Sequence, residues 1–154
     1  MYKRILVPTD GSEITAKAVD TAVALAKLSG ATLSTLCVKE PFPYSAISEM
    51  QPVPPQEFYD AQERIAAERV KAVMAAAAAA GVECSGSTVE ALHPWEAILD
   101  LAKQQACDLI VMASHGRRGM AALLIGSETS RVLNQIPLPV LVVKLLPARG
   151  GSDA

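Results

Sequence analysis

The sequence predicts an α/β protein, built as a single doubly wound five-stranded parallel sheet with helices on both faces. Three observations carry that expectation. Five short apolar runs alternate with four longer segments of helical period, and such an alternation is best satisfied by right-handed crossovers over a parallel sheet. A length of 154 residues suits one domain and leaves no room for a second core. With 51% hydrophobic and 19% charged residues, the chain has enough apolar surface to offset the entropy of ordering.

Lys3 to Pro8 (KRILVP) is the first strand; Pro8 and Gly11 break it, and Ser12 is placed to cap a helix. From Glu13 to Leu28, Thr15, Ala18, Val19, Ala22, Val23 and Ala26 fall on one helical stripe, and Ser29-Gly30 stops it. Ala31 to Val38 reads as the second strand. Glu40 to Gln56 holds five of the ten prolines without a sustained period, which marks a long surface connection. Glu57 to Ala80 is helical and closes on six consecutive alanines before Gly81, a composition suited to close packing of helix on sheet. Val82 to Val89 is the third strand. Pro94 suits the first turn of the next helix, with Ile98, Leu101 and Ala102 on its buried face. Leu109 to Ala113 is the fourth strand, Ser127 to Gln135 the last helix, and Pro139 to Leu145 the fifth strand. The domain is expected over residues 1–146, with a polar tail over 147–154.

Fourteen Lys and Arg against sixteen Asp and Glu leave a net charge of −2, which offers no positive field for a nucleic-acid backbone. The longest apolar runs fall well short of the roughly 20 residues that span a bilayer. The basic start is followed by too few apolar residues for a signal-peptide core, so a cytoplasmic location without membrane or nucleic-acid partners is expected. Cys37, Cys84 and Cys107 are odd in number and widely spaced, which fits reduced structural thiols. His93 and His115 are the only histidines and have no ligand at metal-binding spacing, so no metal site is expected.

In such sheets ligands bind beyond the carboxyl ends of the strands, where successive connections diverge to opposite faces. The segment Ala113 to Ser127 (ASHGRRGMAALLIGS) leaves a strand and enters a helix there. Gly116, Gly119 and Gly126 permit positive φ and close backbone approach, Arg117 and Arg118 can add charge, and Ser127 is placed as N-cap of a helix whose first amides attract anions. Three glycines after a strand can equally do no more than turn the chain.

The run ILVPTDGS at Ile5 to Ser12, SHGRRG at Ser114 to Gly119, the nine residues Arg117 to Ile125, Gly126-Ser127, DLIVM at Asp108 to Met112 and PLPVLVVK at Pro137 to Lys144 together resemble the universal stress protein family over essentially the whole chain. The pattern G-x-x-G, nine residues, G-S resembles the family's ATP-binding branch; another branch lacks it and binds no ATP. Ala113 stands at the first glycine position. Its methyl group is tolerable at negative φ and costs about 1 kcal/mol or more in a left-handed conformation.

The resemblance implies a Rossmann-like sheet of order 3-2-1-4-5 and ATP, with or without Mg, at this mouth. The phosphates would lie against the backbone of Gly116 to Gly119 and of Gly126 to Glu128, with the Ser127 hydroxyl as a further donor. Adenine would sit near Val38 and Met112. Pro8, Thr9 and Asp10 would line the other wall, Asp10 contacting the nucleoside or a phosphate-held metal, or merely organising the turn. The Glu128 carboxylate would repel phosphate unless it points away. Trp95 is expected as a half-buried packing residue and His115 as a turn residue.

The function expected is nucleotide-dependent regulation with at most slow hydrolysis, because no residue pair is an evident catalytic base and nucleophile. The alternative is a nucleotide-free dimeric interaction module, which Ala113 favours. An adenylating enzyme would need a glycine pair where Pro8-Thr9-Asp10-Gly11-Ser12 stands, and a receiver domain would need Asp near Glu90. No G-x-x-x-x-G-K-[ST] loop is present. The apolar last strand, Val140 to Leu145, belongs at a sheet edge and needs covering, so a homodimer through it is expected.

Overall fold

The computed structural model describes residues 1–42, 55–115 and 125–144. Its elements are β1 (Arg4–Pro8), α1 (Glu13–Ser29), β2 (Thr32–Lys39), α2 (Gln56–Ala79), β3 (Cys84–Glu90), α3 (Pro94–Gln104), β4 (Leu109–Ala113), α4 (Ser127–Gln135) and β5 (Val140–Val143). The five strands form one sheet of order β3-β2-β1-β4-β5 with every pair parallel, as expected.

Alternation along the strands divides the core between the two faces. Ile5, Val7, Leu33, Leu109, Val111 and Ala113 pack with Ala18, Val19 and Ala22 of α1 and Val73 and Ala77 of α2. Leu6, Leu36, Ile110 and Met112 face the other way, against Ala97, Ile98, Leu101 and Ala102 of α3 and Val132 of α4. β1 lies at the centre, with Ile5 opposite Leu33 on one side and Leu109 on the other.

Ser12 caps α1 by accepting from the Thr15 amide at 3.3 Å, and Gly30 closes it at φ 73°. α2 packs closely on the sheet at Gly86 of β3, where a Cβ would lie 2.2 Å from Val70 Cγ1 and 2.9 Å from Met74 Sδ, whereas of the six consecutive alanines only Ala77 is fully buried. β3 begins at Cys84 rather than at Val82, because the Val82 amide donates to Ala77 O at 2.9 Å and belongs to the turn that ends α2. β3 is one edge of the sheet, paired with β2, and β5 forms the other edge with Leu141 40% exposed.

At the amino ends of the strands Asp108 fastens β4 to β1. Its carboxylate accepts from the Lys3 amide at 2.8 Å and the Arg4 amide at 3.0 Å, while its own amide donates to Arg4 O. Burial alone would raise its pKa, but these backbone donors and the N-terminal amine outweigh it and hold the carboxyl below its usual value. Cys37 and Cys107 are buried, Cys84 is half-buried, and none of the three forms a disulfide. Burial pushes the thiols of Cys84 and Cys107 up, which makes both poor nucleophiles. Among the described residues no helix is long and apolar enough to cross a membrane.

Candidate functional site

The connections that leave β1 and β4 part to opposite faces of the sheet, α1 to one and α4 to the other. The crevice between these neighbouring strands at their carboxyl ends is therefore the switch point at which such sheets take ligands. Pro8 ends β1 there, and Val38 and Met112 lie one residue before the ends of β2 and β4.

The first wall is the turn Thr9 to Ser12. Thr9 is buried, its amide donates to Leu36 O at 2.8 Å, and its hydroxyl accepts from the Gly11 amide at 3.2 Å. Asp10 Oδ1 accepts from the Ser12 amide at 2.9 Å and the Thr15 hydroxyl at 2.6 Å, so this side chain organises the turn into α1. Gly11 is required here, since it sits at φ 75° and a Cβ would come within 2.8 Å of Arg69 Nε.

The second wall is the entry to α4, and here two expectations are corrected. Ser127 is not the N-cap: the cap is Gly126, whose carbonyl accepts from Ser130, and Ser127 is the first helical residue. Nor does Gly126 use positive φ. Its φ is −63°, and glycine is needed because its amide donates to Ser114 O at 2.7 Å, so close that a Cβ would stand 3.0 Å from that oxygen and 3.3 Å from His115 Cα. A glycine cap has no side chain to offer, so the amides of Ser127, Glu128 and Thr129 begin α4 without side-chain capping. The Thr129 hydroxyl instead donates to Ala113 O at 2.8 Å, which pins the first turn of α4 to the end of β4.

The Glu128 carboxylate links the start of α4 to the start of α3. Oε2 accepts from the Trp95 amide at 3.0 Å, at the start of α3. Trp95 is half-buried as expected, and the Arg131 guanidinium lies 6.0 Å from its ring centre. Pro94 occupies the first turn of α3, also as expected.

Val38 and Met112 share one apolar face, in the cluster built on Leu6 and Ile110. Ala113 does not adopt a left-handed conformation; it is the last residue of β4, opposite Val143, and its methyl faces the α1 side with Val7 and Ala18. Gly116, Arg117, Arg118 and Gly119 lie outside the described residues. Ser114 and Thr129 escaped sequence reasoning. Ser114 donates its amide to Val143 O at 2.8 Å and joins its hydroxyl to His115 Nδ1 at 3.1 Å, contacts with no spacing signature. A cleft of about 410 Å³ between α1 and α2 opens at Thr9, Gly11 and Ser12, whereas one of about 390 Å³ lies at the opposite end of the strands, around Lys3, Thr32 and Gln105.

A model of the universal stress protein family matches residues 1–144. A universal stress protein of Methanocaldococcus jannaschii is 30% identical over 153 residues, covering 94% of this chain and 83% of the relative. Among solved structures, protein MJ0577 of the same organism superposes with a TM-score of 0.81 at 28% identity, over 96% of this chain and 99% of that one. A universal stress protein in complex with cAMP superposes with a TM-score of 0.68 at 28% identity, over 92% of this chain and 97% of that one. Strand order, switch point and the match over residues 1–144 agree, and the chain belongs to the universal stress protein family.

Proposed function

We propose that this chain is a cytoplasmic regulatory protein that binds ATP, with or without Mg, and hydrolyses it slowly at most. The observation that carries the reading is the start of α4. A helix with a glycine cap, no side-chain cap and three leading amides is held at the switch point by Gly126 to Ser114 and Thr129 to Ala113, which is the arrangement that favours a phosphate. The Ser127 hydroxyl is freed from capping to act as a further donor. In this reading the phosphates also meet the backbone of Gly116 to Gly119 and the charges of Arg117 and Arg118. Adenine lies toward Val38 and Met112, and Pro8, Thr9 and Asp10 form the opposite wall. A relative of like fold in complex with cAMP supports an adenine nucleotide as the ligand.

The nucleotide-free interaction module rested on Ala113, and an extended residue with its methyl turned toward α1 gives that reading no support. A homodimer through β5 belongs to the proposal, because β5 is an edge strand and Leu141 is 40% exposed on it. Melting with and without Mg-ATP tests the nucleotide. A ligand at 100 times its dissociation constant stabilises by about 2.7 kcal/mol, or roughly 5 to 10 °C for a domain of this size. A folded protein whose melting temperature does not move at millimolar Mg-ATP sinks the reading.

A further inference from the structure

We infer that His115 is a further binding residue at the start of α4, donating from Nε2 to phosphate, and that Ser114 is the residue that positions it; the inference rests on the nucleotide reading above. Ser114 is 3% exposed, and its hydroxyl has one partner among the described residues, His115 Nδ1 at 3.1 Å. A buried hydroxyl proton needs an acceptor, and Nδ1 is the one within reach. In a neutral imidazole one nitrogen accepts while the other carries the proton, so a bond from Ser114 to Nδ1 leaves the proton on Nε2. Nε2 itself has no partner among the described residues. The ring stands at the start of α4: Cδ2 lies 3.3 Å from the point that a Cβ on Gly126 would occupy, and Nε2 is the ring atom bonded to Cδ2. Gly126 is the N-cap, and the Cβ of an N-cap residue is the root from which a capping side chain reaches the leading amides. His115 thus sets a half-buried N–H donor beside amides that lack a side-chain cap, and an anion satisfies both. The backbone under the ring is fixed as well, because Ser114 donates its amide to Val143 O at 2.8 Å and its carbonyl accepts from the Gly126 amide at 2.7 Å.

The chain has two histidines, His93 and His115, so NMR of protein carrying isotope-labelled histidine follows each ring nitrogen, with His93→Gln to assign the signals. The neutral His115 ring should carry its proton on Nε2, and its Nδ1 signal should move in Ser114→Ala. On adding Mg-ATP the Nε2 proton should become slow to exchange with water. Calorimetry supplies a second readout, taken with ATP, and with adenosine by displacement of ATP, on wild type, His115→Ala and Ser114→Ala. Loss of a donor to phosphate lowers the preference for ATP over adenosine, whereas general damage to the turn weakens both ligands together. That preference should fall about tenfold or more in His115→Ala and about twofold to fivefold in Ser114→Ala. A proton on Nδ1 of the neutral ring, an Nε2 proton that exchanges as fast with ATP bound as without, or an unchanged preference in His115→Ala overturns the inference. An unmoved Nδ1 signal in Ser114→Ala overturns the positioning role of Ser114. Wild type that binds no ATP, with the proton on Nε2 as expected, overturns the nucleotide reading and the role of His115 toward it, leaving the Ser114 bond as support for the turn alone.

Discussion

Ala113→Gly restores the glycine that the family pattern has at this position, and the structure expects it to do harm. Ala113 is an extended residue at the end of β4, 8% exposed, with its methyl packed beside Val7, Ala18 and Ala22. Deleting a buried methyl forfeits about 0.8 kcal/mol of transfer free energy. The freer glycine backbone adds roughly 0.5 to 1 kcal/mol to the cost of ordering the strand. The expected loss is thus about 1.5 kcal/mol. Unfolding entropy of about 2.1 cal/mol/K per residue over 154 residues gives about 0.3 kcal/mol/K, so the melting temperature should fall by roughly 4 to 6 °C. Scanning calorimetry at one fixed protein concentration, with and without Mg-ATP, measures both stability and binding. The ATP-induced rise should be the same in both proteins. A more stable glycine variant would mean that Ala113 is strained, and ATP affinity improved by about tenfold or more would mean that its methyl obstructs the ligand; either result refutes the reasoning.

Asp10→Ala removes the acceptor for the Ser12 amide and Thr15 hydroxyl, and should cost about 1 to 3 kcal/mol in urea unfolding; a loss below about 0.5 kcal/mol would deny it the role of organising the turn. Gly86→Ala should lose about 1 to 3 kcal/mol by the same assay, since its methyl meets Val70 and Met74. Asp108 has its pKa depressed in the fold, so its contribution is present above the ordinary aspartate value and lost as pH falls through the folded value. The stability gap between wild type and Asp108→Asn should accordingly narrow on acidification, and a gap that widens would contradict the assignment. Leu141→Lys should dissociate the dimer proposed through β5 in sedimentation, with the subunit still folded because the side chain is 40% exposed; unchanged assembly would place the interface elsewhere.

The sequence was most legible where one periodic signal decided the structure. The stripe Thr15, Ala18, Ala22 and Ala26 fixes both the length and the buried face of α1, and Ser12 and Gly30 mark its ends chemically. At α4 the same rules misassigned the cap. Gly126 and Ser127 both suit that position, and only the approach of Ser114 O to the Gly126 amide selects glycine. The bond of Glu128 to α3 was open in the sequence because its partner is a backbone amide 33 residues away. Ala113 shows the same limit: whether a methyl is tolerated depends on φ and on the face of the strand, both set by pairing with Val143 and packing under α1.

The position of β1 at the middle of the sheet also bears on how the chain assembles during synthesis. β1, α1, β2, α2 and β3 can pair as soon as they leave the ribosome, since β1 to β2 and β2 to β3 are connected locally. The other side of β1 must wait for β4, and Asp108 closes on Lys3 across 105 residues. Until then the β4 side of β1 is unpaired, and the nascent chain carries an open strand edge. The slow, non-local step of folding is thus the docking of β4 beside β1, which is also the step that creates the crevice between them. A half-made chain therefore lacks the switch point, and the site comes into being only when the two halves of the sheet join.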